Sequence, residues 1–163
     1  MKIATLGISL LLGSLGALSY CQPQPKVVYQ VIVPKGIKPG KEFTIQIKVK
    51  LPEGWHAYGP NPNATKGEPN FNTVLGVTME QNKSFDRFMP QPISPKPHKS
   101  ETNPTDFIYE HEVTIPVILR IKAGTKSAKI KLLVNHQLCD SSTCVPPHTD
   151  TIEVKFDFTK ASK

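Results

Sequence analysis

The chain has 163 residues, a formal net charge of +7, 16 prolines and 3 cysteines. That length fits one domain plus a targeting segment. Proline near a tenth of the residues excludes a helical bundle, because a long helix tolerates Pro only in its first turn, and so few cysteines exclude a disulfide-stapled miniprotein.

Lys2 precedes an apolar run over residues 3–18, broken only by Thr, Gly and Ser. One positive charge followed by a short apolar core predicts a secretory signal peptide over residues 1–20, since a membrane anchor needs roughly 20 apolar residues and different flanks. Two cleavage readings stand open. Ala17-Leu18-Ser19 places small residues three and one before a cut that leaves Tyr20 first. Leu18-Ser19-Tyr20-Cys21 resembles a bacterial lipobox that would lipidate Cys21, with Tyr20 standing where Gly, Ala or Ser is usual. Residues 21–25 would be a short extended tether and residues 26–163 the domain. The mature chain is expected in the periplasm or otherwise outside the cytoplasm, where disulfides persist. Its only membrane attachment would be the lipid on Cys21.

Strand periodicity dominates the domain. Val27, Tyr29, Val31 and Val33 alternate with polar or outward positions, and Phe43, Ile45, Ile47, Val49 and Leu51 alternate with Glu42, Thr44, Gln46, Lys48 and Lys50. Phe107, Tyr109, Val113, Ile115, Val117, Leu119 and Ile121 share one parity. Ala128, Ile130, Leu132, Val134, His136 and Leu138 share another, and Ile152, Val154, Phe156 and Phe158 close the chain. Period two with one polar face predicts antiparallel sheets wet on one side. Turns are signalled at Lys38-Pro39-Gly40, Pro52-Glu53-Gly54 and Ala123-Gly124. Strands of this kind at this density predict an all-β, immunoglobulin-like antiparallel β-sandwich. A domain of this size buries roughly two-thirds of its unfolded surface, so its fold should not depend on a disulfide.

Two segments interrupt the pattern: residues 55–72, rich in Gly, Pro and Asn, and residues 87–104, which hold Pro90, Pro92, Pro95, Pro97 and Pro104. They read either as functional loops or as covers for a sandwich edge. Only Arg87 and Arg120 are arginines. Scattered Lys on strand faces reads as solvated surface rather than a nucleic-acid site, though a basic surface favours acidic partners.

The chemistry centres on Cys139-Asp140-Ser141-Ser142-Thr143-Cys144-Val145-Pro146-Pro147. Three readings remain open for the pair Cys139 and Cys144. A disulfide closing so small a ring contributes only about 2 kcal/mol, a modest structural staple. A strained surface ring is also readily reduced, which suits a redox-active pair. With His136 and His148, the two thiols make a zinc-compatible set of four, although the parity of His136 is that of the core and an oxidising compartment favours the disulfide. His98 and His111 have no comparable spacing. No Gly-x-Ser-x-Gly elbow, phosphate loop, HExxH or Cys-x-x-Cys is present.

Asn135-His136-Gln137-Leu138-Cys139 with Cys144-Val145-Pro146-Pro147 resembles the signature of the N-terminal domain of the thiol:disulfide interchange protein DsbD. Gly54-Trp55-His56-Ala57-Tyr58, Asn61-Pro62 and Gly67-Glu68-Pro69 are similar to an earlier block of that family, and Ile108-Tyr109-Glu110 leads into a similar central strand. The resemblance runs in order over residues 26–158. It implies an immunoglobulin-like periplasmic domain whose cysteine pair is reduced by a thioredoxin-like protein and passes electrons onward, without a cofactor. Cys144 would form the mixed disulfide and Cys139 would resolve it. Trp55, His56, Tyr58, Tyr109, His136, Gln137, Pro146 and Pro147 would dock partners or shield the pair. His136 stands where the family has Tyr. The family's cap loop corresponds to residues 99–105, which hold Glu101 but no aromatic, so Phe85, Phe88 or Phe107 would have to substitute. The family's full-length protein adds a membrane domain and a thioredoxin-like domain that this chain lacks, which leads to the expectation of a standalone monomeric module. The competing expectations are a β-sandwich binding module with a purely structural disulfide, and a metal carrier using His136, Cys139, Cys144 and His148.

Overall fold

The computed structural model describes residues 25–63 and 72–159. The expected signal peptide, Cys21 with most of the tether, and Gly67-Glu68-Pro69 lie outside the described residues.

Among the described residues eleven strands form, and the long ones fall where the alternation is strongest. They are β1 (Val28–Ile32), β2 (Glu42–Lys50), β3 (His56–Tyr58), β4 (Gly76–Met79), β5 (Phe85–Pro90), β6 (His98–Lys99), β7 (Phe107–Glu110), β8 (Glu112–Ile121), β9 (Ser127–His136), β10 (Leu138–Cys139) and β11 (His148–Asp157). One sheet has the order β1-β2-β8-β5 and a second the order β11-β9-β4. Taken in chain order, β1, β2, β4, β5, β8, β9 and β11 are strands A to G of a constant-type immunoglobulin domain, whose two sheets run A-B-E-D and C-F-G. Among the described residues every pairing between two of these strands is antiparallel, and one isolated parallel bridge joins Tyr58 to Val74. The expected immunoglobulin-like sandwich is thus present in its strand order.

Register explains the core. Ile45 opposes Val117, Ile47 opposes Ile115 and Val49 opposes Val113, so apolar rows face inward together. Leu132 opposes Ile152, and Ile130 opposes Val154, on the facing sheet. Ile45, Ile47, Val117, Ile130 and Leu132 are fully buried, each such burial being worth about 1.5–3 kcal/mol. Phe156 locks the sheets together, with its ring edge-on to Phe43 at 5.6 Å and to Phe85 at 6.0 Å. Phe85 and Phe88 pack on this core, so they do not cap the cysteine pair.

The remaining strands make a third sheet of order β10-β3-β7-β6. In immunoglobulin terms β3 is inserted between B and C, β6 and β7 between D and E, and β10 between F and G. Two runs that read as single strands are in fact split to build it. Residues 107–121 break at His111, whose φ of 61° turns the chain from β7 in the third sheet to β8 in the first. Residues 128–138 break at Gln137, between β9 and β10. The Gly54 φ of 75° belongs to the left-handed region that glycine occupies without penalty, and it delivers the chain into β3. At the other end of β3, a Cβ on Gly59 would lie 2.5 Å from the Pro97 Cβ, so the proline-rich segment seats directly on that backbone.

Candidate functional site

The third sheet has two faces. Ala57, Tyr109 and Leu138 lie side by side in register on the face turned to the core, and none is more than 3% exposed. Tyr109 is therefore a core residue, which corrects its expected place in a docking surface. The other face carries His56, Tyr58, Cys139 and Glu110.

Cys139 and Cys144 are bonded to each other, with their Cα atoms 4.0 Å apart as a cross-strand pair. The hairpin between them is organised from within. The Asp140 carboxylate accepts the backbone N–H of Ser142 and of Thr143, both at 2.7 Å, and the Ser142 hydroxyl at 2.9 Å. These donors, the Ser142 amide foremost, hold the Asp140 carboxyl below the usual carboxylate range. The Asp140 N–H donates to the Thr143 carbonyl and the Val145 N–H to the Leu138 carbonyl, both at 2.9 Å.

The two sulfurs are not equivalent. Cys139 is 1% exposed, whereas Cys144 is exposed at the rim. Tyr58 covers the bridge, its Oη lying 3.6 Å from Cys139 Sγ and 4.0 Å from Cys144 Sγ. The sulfurs of a disulfide carry no proton, so the phenol is the donor. Burial, helped by the field of Asp106, raises the Tyr58 pKa and keeps that proton in place. Tyr58, one of the residues expected to dock partners or shield the pair, thus lies against it, whereas Phe85 and Phe88, offered as substitutes for a cap-loop aromatic, pack on the core.

A polar cleft of about 270 Å³ opens beside the hairpin, lined by His56, His98, Glu101, Glu110 and Ser141 among others. Glu101 of the expected cap segment thus faces the tip of the cysteine hairpin. The ring of His56 stands edge-on to Tyr58 at 5.7 Å, and Glu110 meets His98 at 3.0 Å. Trp55 packs partly buried against the core.

The two other histidines of interest lie elsewhere. His136 is buried, and its Nε2 stands 3.0 Å from the Asp150 carboxylate. The same carboxylate accepts the Tyr29 hydroxyl at 2.7 Å and lies 3.3 Å from His148 Nε2. Burial pushes the Asp150 pKa up, but the hydrogen bonds from His136 and Tyr29 and the nearby imidazoles outweigh it and hold the carboxyl low. The Tyr29 phenol is raised by burial and by Asp150. This cluster joins β1 to β11 across the sandwich edge and lines a cavity of about 650 Å³ with Leu138, Val145, Pro146 and Pro147. The four-ligand metal set does not converge: its cysteines bond each other and its imidazoles are held by Asp150. Among the described residues no three His, Cys, Asp or Glu side chains could hold a metal ion together. Gln137 accepts the Thr73 N–H at 3.2 Å, tying the segment before β4 to the hairpin. Asp140 was not singled out from the sequence, although an Asp before Ser-Ser-Thr is a turn-forming signal that could have found it. Glu110 and Asp150 enter through strand register, which the sequence does not display.

An immunoglobulin-type sandwich with an inserted sheet that presents an asymmetric cysteine pair, one sulfur open and one covered, defines a class of disulfide-bearing β-sandwich domains. Within that class, the family described as "Thiol:disulfide interchange protein DsbD, N-terminal" matches residues 22–155, and the chain belongs to it. Among solved structures, the N-terminal domain of Neisseria meningitidis DsbD in its reduced form is 13% identical, covering 69% of this chain and 77% of that one, with a TM-score of 0.42. The N-terminal periplasmic domain of ScsB from Proteus mirabilis is 16% identical with a TM-score of 0.46 and covers 74% of this chain. The present chain spans 43% of the length of that ScsB chain. Comparison with curated proteins finds no match.

Proposed function

We propose that the protein is an extracytoplasmic thiol–disulfide exchange module that relays electrons between protein partners through Cys139 and Cys144. Its partners would be thioredoxin-like proteins, in keeping with the family, and its location the periplasm, reached through the signal peptide and with Cys21 as the candidate lipid attachment. The observation that carries the reading is the asymmetry of the pair: Cys144 open at the rim and Cys139 covered beneath the Tyr58 hydroxyl. An incoming thiolate reaches Cys144 Sγ. The new S–S bond forms there, the Cys139–Cys144 bond breaks, and Cys139 leaves with the electron pair as a thiolate that the Tyr58 O–H can meet at once. The donor's second thiol then attacks the donor's own sulfur, so that the donor closes its disulfide and Cys144 leaves as a thiolate. On the onward leg the Cys144 thiolate attacks an acceptor disulfide, and Cys139 then attacks Cys144 Sγ, restoring the bridge and releasing the acceptor reduced. Trp55, His56, Pro146 and Pro147 would frame the docking surface around this exchange.

The test has two arms. A Cys139→Ser variant, left with Cys144 as its hairpin thiol, should trap a thioredoxin-like partner as a mixed disulfide during export. The reduction potential of the native pair should lie well above about −300 mV, the region of structural disulfides. A lower potential, together with no exchange with any thioredoxin-like donor, would sink the proposal and leave the bridge as a staple.

A further inference from the structure

One line of residues crosses the outer face of the third sheet. Cys144 pairs with Cys139, Cys139 opposes His56, and His56 opposes Glu110. Directly opposed residues on antiparallel strands point to the same face, with Cβ atoms about 4.5–5.5 Å apart. The covered sulfur, an imidazole and a carboxylate therefore stand side by side, and His98 closes the row on Glu110 at 3.0 Å. The cleft that contains His56 and Glu110 connects the row to solvent.

Resting on the exchange reading above, we propose that His56 carries the proton of the resolving sulfur, Cys139, with Glu110 orienting and stabilising its imidazolium. When a partner is joined to Cys144, neutral His56 takes the Cys139 thiol proton. The thiolate attacks Cys144 Sγ, the bond between Cys144 and the partner breaks, and the partner leaves as a thiolate that is protonated by water. In the opposite direction neutral His56 takes up a proton from solvent through the cleft, hands it to the departing Cys139 thiolate and is left neutral again.

The surroundings suit the task. Tyr58 stands on the same strand, Cys139 and Asp140 on the hairpin, Glu110 and Asp106 on and before β7, His98 on β6, and Glu101 on the turn beyond it. Burial lowers the His56 pKa, and the carboxylates Glu110, Asp106 and Asp140 act against it while His98 acts with it. The resting imidazole is therefore neutral and ready to accept, and its cation is formed beside carboxylates. Tyr58 cannot substitute as a base, because burial and Asp106 keep its hydroxyl protonated.

The magnitude follows from thiol ionisation. An ordinary thiol with a pKa of about 8.5 is roughly 3% thiolate at pH 7, so full ionisation by a paired imidazole gains at most about 30-fold. The experiment uses the glutathione mixed disulfide of Cys144 in the native chain and follows glutathione release by rapid quench from pH 6 to 10. Wild type should release glutathione at a rate nearly flat from pH 7 to 9. His56→Gln should be about tenfold slower at pH 7 and converge on wild type above about pH 9, where the thiol ionises unaided. Glu110→Gln should move the wild-type limb to lower pH. A parallel His56→Gln profile offset by the same factor at every pH would mean a merely structural role, and an unchanged profile would also overturn the proposal. If the Gln variant does not fold, the reduced wild-type protein decides: its His56 ring must titrate in step with Cys139 by NMR, and independent titration refutes the coupling. Failure of Cys144 to accept glutathione at all would strike at the exchange reading itself, and is read separately from the pH profile.

Discussion

Removing the disulfide separates a staple from a working pair. The perturbation is reduction with dithiothreitol, or the double replacement Cys139→Ser/Cys144→Ser. The bridge spans a sequence separation of 5, and closing so short a loop restricts the unfolded chain by only about 2 kcal/mol. What the bridge holds is also held otherwise. The Asp140 carboxylate binds two amides and a hydroxyl of the loop, and two backbone hydrogen bonds cross the hairpin on either side of the cysteines. Tyr58 remains in place to accept from the Cys139 thiol. The core of Ile45, Val117, Ile130 and Leu132 lies in the other two sheets and is untouched. Thermal unfolding followed by circular dichroism should therefore remain one cooperative transition, lowered by about 5–10 °C, with the far-ultraviolet spectrum preserved. Urea midpoints should agree with a loss near 2 kcal/mol. Loss of cooperativity on reduction, or a loss above about 4 kcal/mol, would show that the bridge organises the domain and that the reasoning is wrong.

Four further outcomes are expected. Tyr29→Phe removes a hydrogen bond to a carboxylate between β1 and β11 and should lower stability by about 1.5 kcal/mol in urea, near the low end for bonds to charged groups; no change would mean Asp150 is satisfied without it. Because Asp150 has a folded pKa below its unfolded value, its contribution is present above about pH 4 and is lost as pH falls through the lower folded value, so Asp150→Asn should remove part of the acid-dependent fall in urea midpoint that wild type shows. Gly59→Ala drives a methyl against Pro97 and should cost about 1–3 kcal/mol by overpacking, with faster hydrogen exchange confined to the proline-rich segment and β3; a neutral result would show that the segment yields freely. Asp140→Ala should speed exchange of the Ser142 and Thr143 amides and make the pair easier to reduce, since the thiols would no longer be held together. An unchanged reduction potential would show that the hairpin is organised by its backbone alone.

The sandwich was legible because its strands obey a period of two over many residues. The alternation in residues 43–51, 113–121 and 128–136 comes directly from one face being buried, and burial is written into side-chain type. The inserted sheet was not legible for the opposite reason. β3, β6 and β10 are two or three residues long, too short to show a period, and β3 and β6 lie inside segments whose Gly and Pro read as loops. Parity also conceals a change of sheet. Tyr109 and Val113 share parity on either side of His111, and nothing in the spacing reveals that the chain has turned from one sheet to another. The cysteine pair could be named from its spacing and its likeness to a family. The likeness also brought His56 to the neighbourhood of the pair, but the row Cys139–His56–Glu110 could not be read, because register between distant strands is fixed by tertiary packing and nothing marked Glu110 as the neighbour of His56.

The inserted sheet has a consequence for how the molecule opens. Its strands are joined by few backbone hydrogen bonds, while β8 and β9 are each paired along nearly their whole length on one side and along part of it on the other. Local unfolding follows such differences. The cysteine hairpin, β3 and the proline-rich segment should form a cooperative unit of low opening free energy, able to part from the domain while the two main sheets stay closed. Amide protection factors would then fall into two tiers, with the lower tier around Cys139 and Tyr58. A covered sulfur could thus become reachable through a brief excursion of one small unit, with no change in the stability of the whole.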